Sequence, residues 1–199
     1  MHTYSEAELQ PRLQELSPKR RVAFALMCVI RLAPHYRRYN DELRAGSSAQ
    51  FDDLVEQLWH HVVSAELSAP VLDSAIRSCM KLVPSDDTVC WTALQPAAED
   101  AVVALAYAYR AAATGAAQEA VWASRRAYEA MEQLAGQEAL GIGYDEGARL
   151  AHPKVQAELS RQNRDLNVLS RADELANPRT LAWLRKVAEQ EAILEFPVT

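Results

Sequence analysis

Nine consecutive apolar residues, Val22 to Ile30, stand between Lys19-Arg20-Arg21 and Arg31. A membrane span needs roughly 20 such residues, so this run is too short to sit in a bilayer. A helix that is apolar around its whole circumference must instead be enclosed by other elements. The run therefore predicts a central helix, started by Ser17 and Pro18, with the rest of the chain wrapped around it. Pro34 is expected to end or kink this helix, and "HYRRYNDELRAG" to carry it on to Gly46.

The remaining segments keep the helical period. Phe51, Leu54, Val55, Leu58 and Val62 recur at the spacing of one buried helical face. Helices are also expected over residues 5–16, 70–82, 97–113, 117–136, 153–175 and 178–194. Alanine is abundant, β-branched residues are sparse, and no segment alternates as a strand does. The expected fold class is all-α: a single-domain bundle of roughly eight helices over residues 1–199. Two stretches read as connections. "VPSDDTVCWTALQP" carries two prolines and an acidic turn. "GQEALGIGYDEG" holds four of the six glycines and is expected to move or to change shape with a partner.

The net charge is -6, which argues against a nucleic-acid binder, since that function needs a basic surface. Residues 1–44 carry eight Lys/Arg against five Asp/Glu (net +3), and residues 45–105 carry two against nine (net -7). The plainer account of this asymmetry is pairing within one fold. Cys28, Cys79 and Cys90 are odd in number with no short spacing, and no secretory pattern is present, so a cytoplasmic chain with reduced thiols is expected.

Asp52, Glu56 and His60 fall at i, i+4 and i+8 in "FDDLVEQLWHHVV", which stacks two carboxylates and an imidazole on one helical face. With a fourth ligand such as His35 or Glu99, that row could hold a divalent metal. It lies beside the apolar stripe, however, and the expectation is a wet helix face with no metal and no cofactor. Glu99 and Asp100 form a second acidic pair, suited to general acid/base work in a cleft or to a helix's first turn. Helical di-metal spacing, zincin, Cys-x-x-Cys, phosphate-loop and nucleophile-elbow motifs are all missing. The four tryptophans, Trp59, Trp91, Trp122 and Trp183, are expected to be core or interface anchors.

"FALMCVIRLAPHY" places Phe24, Arg31, Pro34 and Tyr36 in the order Phe-x6-Arg-x2-Pro-x-Tyr. Trp59 then closes an amphipathic helix, acids follow Pro84-Ser85, and "DAVVAL" opens the next helix. Over residues 10–135 this resembles the YjaG-like family of bacterial proteins, a domain of unknown function. Either Glu99 or Asp100 fills the family's acidic position. The resemblance implies an all-helical fold and a bacterial cytoplasmic setting, and it brings no activity.

Two functions remain. One is a non-enzymatic helical interaction module, a homo-oligomer and most simply a dimer, with no nucleic-acid or membrane partner. The alternative is an enzyme binding a metal or an unidentified small molecule in an acidic cleft built from Asp52, Glu56, His60, Glu99 and Asp100.

Overall fold

The computed structural model describes residues 1–43, 47–64, 66–84, 94–138, 146–171 and 178–195. They form nine helices and, among these residues, no strand: α1 (Glu6–Gln14), α2 (Pro18–Leu43), α3 (Ser48–Val63), α4 (Ala69–Leu82), α5 (Gln95–Thr114), α6 (Ala117–Glu138), α7 (Glu146–Ala151), α8 (Pro153–Ser170) and α9 (Pro178–Glu195). The fold class is all-α, as the periodicity requires. The helix beyond the expected eight is α7, six residues at the end of the glycine-rich stretch. The rest of that stretch, 139–145, and the acidic connection at 85–93, with Cys90 and Trp91, lie outside the described residues.

The apolar run sits at the centre. Every residue from Val22 to Ala33 is buried, and α2 packs against α3, α5, α6, α8 and α9. The helix continues through Pro34 to Leu43. Proline has no N–H for the carbonyl of Ile30, which costs one backbone bond. Tertiary packing outweighs that loss, since α2 packs against α3 and α9 and Pro34 lines the groove between them.

Ends are closed as the sequence suggests at some helices and later at others. The Ser5 and Ser47 hydroxyls accept from the amides of Glu8 (3.3 Å) and Gln50 (3.1 Å), capping α1 and α3. Gly115, at φ 68°, ends α5 in the left-handed conformation that glycine adopts without strain. Arg21 then gathers three carbonyls at two helix ends. Its guanidinium donates to the carbonyls of Leu13 (2.8 Å) and Gln14 (2.6 Å) at the end of α1, and to that of Gly115. Gly136 does not end α6, which runs on to Glu138, and α8 stops at Ser170, short of the expected 175.

Tyrosines join neighbouring helices. Tyr36 stacks on Phe51 with centroids 4.7 Å apart, and the Tyr109 hydroxyl donates to the Leu54 carbonyl at 2.7 Å. The tryptophans take the second of their two expected places, outside the core. None of Trp59, Trp122 and Trp183 belongs to the buried core, and Trp183 is 48% exposed.

Leu26 is fully buried in the middle of α2. Leu26→Ala is expected to cost about 2–5 kcal/mol of unfolding free energy in urea titration. A loss under about 0.5 kcal/mol would place α2 at the surface.

Candidate functional site

Helix α9 lies on α2 through Leu184, Ala188 and Ala192, each at most 4% exposed. These residues recur at helical spacing, and two of the three are alanines, so α9 settles close to its neighbour. Between α2, α3 and α9 runs a groove of about 320 Å³ with Ile30, Ala33, Pro34 and Val55 among its apolar walls. Two of the acids singled out in the sequence, Asp52 and Glu56, line it.

Both are held by arginine. Arg37 Nη2 is 2.8 Å and its Nε 3.1 Å from Asp52 Oδ1. Arg185 meets Glu56 with both terminal nitrogens, one of them at 2.9 Å, and donates its Nε to Glu189 at 2.7 Å. The same guanidinium lies 5.2 Å from the centre of the Trp59 ring. Hydrogen bonding from Arg185 holds the Glu56 carboxyl below its usual range. The groove thus holds three carboxylates and two guanidinium groups, each carboxylate facing a guanidinium. His60 is exposed and does not line it. Its neighbour His61 is the buried imidazole, with Nδ1 accepting from the Leu67 amide at 3.0 Å. Burial lowers its basicity and favours the neutral ring.

Glu99 and Asp100 lie elsewhere, in the second turn of α5 and not the expected first turn, because the helix starts at Gln95. Glu99 is exposed. Asp100 is 3% exposed; Arg126 Nη1 donates to its Oδ1 at 3.2 Å, and its Oδ2 has no partner. Burial pushes this carboxyl up to about 7, and the Arg126 contact only moderates the effect. The structure therefore brings together Asp52 and Glu56, separates both from Asp100, and leaves His60 and Glu99 in solvent. Among the described residues no group of three or more His, Cys, Asp or Glu could hold a metal ion, and none of the helices is long and apolar enough to cross a membrane.

The largest buried charge cluster was not anticipated. Arg31 donates from Nε and Nη2 to the two oxygens of Glu158 (2.8 and 2.9 Å) and from Nη1 to Asp165 Oδ2 (2.7 Å). All three side chains are at most 2% exposed. Gln162 Nε2 donates to Glu158 and to the Ser124 carbonyl, and Arg164 bridges Asp165 to Glu191 of α9. Burial works against the Arg31 charge, but Glu158 and Asp165 outweigh it and hold the guanidinium well above its usual value. A signal existed in the sequence: Glu158, Gln162 and Asp165 follow at i, i+4 and i+7, on the same side of α8 as Leu159 and Leu166.

Asp100 carries a pH expectation. Its folded titration point is raised, so its contribution favours folding below the unfolded value near 4 and is lost as pH rises through about 7. In dilute protein, the stability of Asp100→Asn relative to the parent is expected to rise between pH 4 and pH 7 in parallel urea titrations. A constant difference across that window would show that Asp100 titrates normally.

The comparisons with known proteins agree with this architecture. The family model for a protein of unknown function (DUF416) matches residues 8–194. No curated protein matches the chain. A crystal structure of a DUF416 family protein from Shewanella baltica OS155, at 1.91 Å resolution, aligns with a TM-score of 0.77 over 94% of this chain and 95% of that one. The two are 20% identical, a likeness that speaks for the fold alone. With nearly its whole length matched by the family model, the chain belongs to the DUF416 family of proteins of unknown function.

Proposed function

We propose that this chain is a non-enzymatic helical interaction module that works as a homodimer in the cytoplasm, without a nucleic-acid or membrane partner. The observation that carries the proposal is the position of its tryptophans. Of the three described indoles, Trp183 is exposed and Trp59 and Trp122 are half-buried, the latter two against arginines at 5.2 and 5.8 Å. Tryptophan, tyrosine and arginine are the residue types that anchor protein interfaces. Their placement outside the core leaves them available for contact.

Charge gives less support to a dimer than the sequence alone suggested. Lys19 reaches Glu66 at 3.8 Å and Arg37 reaches Asp52 at 2.8 Å, so the basic N-terminal segment meets the acidic middle segment within one chain. Association is therefore assigned to aromatic surface. The alternative, an enzyme using an acidic inter-helical cleft, has weaker support. Asp52 and Glu56 share a groove, but arginines occupy both, and His60, Glu99 and Asp100 stand apart from it.

Light scattering coupled to size exclusion tests the proposal. At tens of micromolar protein, the expected mass is twice 22.1 kDa. It is expected to persist when salt is raised to about 0.5 M, where exposed charge pairs are largely screened. A mass of one chain at that concentration would overturn the dimer.

A further inference from the structure

Pro34 does more than interrupt a row of backbone bonds. Its missing N–H deprives the Ile30 carbonyl of the usual helical donor. Both residues line the groove between α2, α3 and α9, so that carbonyl stands at the groove wall. Backbone acceptors in native proteins are nearly always satisfied by some donor.

Charge in the groove is unequal. Asp52, Glu56 and Glu189 face only two cations, Arg37 and Arg185. Arg37 answers Asp52. Arg185 is divided: both terminal nitrogens go to Glu56, and Nε goes to a single oxygen of Glu189. The surplus negative charge therefore lies at the Glu56–Glu189 end. The walls between the charges are aliphatic, built from Ile30, Ala33, Pro34, Val55 and Ala192. The volume, about 320 Å³, is near the lower end for ligand pockets. At about 30 Å³ each, roughly ten non-hydrogen atoms fill it.

We propose that this groove binds a small free amine, a primary alkylammonium with an unbranched tail of about six carbons. An ammonium has three donors and one positive charge. It donates to the Ile30 carbonyl and to the carboxylates of Glu56 and Glu189, and its charge brings the groove to neutrality. The tail lies on Ala33, Val55 and Ala192. An anion of the same shape is repelled by the surplus carboxylate, and a neutral alcohol leaves that charge uncompensated. A lysine side chain from a partner protein carries the same head, but its four-carbon stem fills only about half of the space. Binding here is independent of the dimeric reading above, and its failure leaves that reading standing.

Amide chemical shifts of the full chain, followed by NMR at low salt, test the site with three probes of one tail length. Hexylammonium is expected to bind saturably, with shifts centred on the groove residues of α2, α3 and α9. Its affinity is expected to exceed that of hexan-1-ol and of hexanoate about tenfold or more. Equal affinities, a preference for hexanoate, or shifts centred elsewhere would overturn the proposal. Two variants separate the contacts. Glu189→Gln removes the surplus charge from an exposed side chain and leaves Arg185 on Glu56. It is expected to weaken hexylammonium about tenfold, the scale of one lost hydrogen bond to a charged group, and to leave hexan-1-ol unchanged. Pro34→Ala returns an amide donor to the Ile30 carbonyl. It is expected to weaken hexylammonium similarly while raising resistance to urea. Glu42→Gln, which pairs with Arg38 and does not line the groove, is the control and is expected to bind as the parent does. Parent-like binding by either groove variant would overturn the site. Tighter binding of Nα-acetyl-lysine amide than of hexylammonium would overturn the free amine as occupant.

Discussion

A guanidinium inside an apolar helix constrains this molecule more than any other group. Arg31 follows the apolar run directly, so its charge is carried into the interior with the helix that the core needs most. A buried charge is tolerated only when paired and hydrogen-bonded. Glu158 and Asp165 meet that requirement, and they do so from α8, more than a hundred residues later. The position of α8 on α2 is thereby fixed to hydrogen-bond precision. Gln162 then ties the cluster to α6 through the Ser124 carbonyl, and Arg164 extends it to Glu191 on α9. Apolar packing of alanine-rich helices is forgiving of small rotations and shifts. The ion cluster is directional and removes that freedom. Its role is register more than stability, since an apolar core of equal volume can be as stable as a buried ion pair.

The helices were legible in the sequence because each depends on local periodicity. Val22–Ile30 could only be central, and the stripe from Phe51 to Val62 could only be one buried face. Boundaries were less legible where tertiary contacts override local signals. Pro34 and Gly136 both stand inside helices. The site was least legible. Asp52, Glu56 and His60 share a spacing but not a fate: the first two find arginines from α2 and α9, and the third faces water. Those partners lie 15 and 129 residues away in sequence, a relation that no local pattern encodes. Glu99 and Asp100 differ by one position, which on a helix is enough to put one in solvent and the other in the interior.

A division of labour emerges between the two ends of the chemistry. Charges of the N-terminal half are spent within the chain, on helix ends by Arg21, on Asp52 by Arg37 and on Glu66 by Lys19. The α5–α6 face is different. Its acids retain unfilled oxygens, its arginines retain donors, and its aromatic pair is only half-covered.

The central claim, that the Arg31 cluster sets the register of α8 and α9 on α2, is tested most directly by comparing two variants. Arg31→Met alone leaves the buried Glu158 without a cation and Asp165 with Arg164 only, and is predicted to cost about 3–5 kcal/mol in urea titration. The triple change Arg31→Met, Glu158→Leu, Asp165→Leu removes all three charges and is predicted to recover most of that loss. Amides of α8 and α9 in the triple variant are predicted to exchange faster than in the parent, because stability returns without register. A loss under about 1 kcal/mol for Arg31→Met, or parent-like protection of α8 and α9 in the triple variant, would contradict the account.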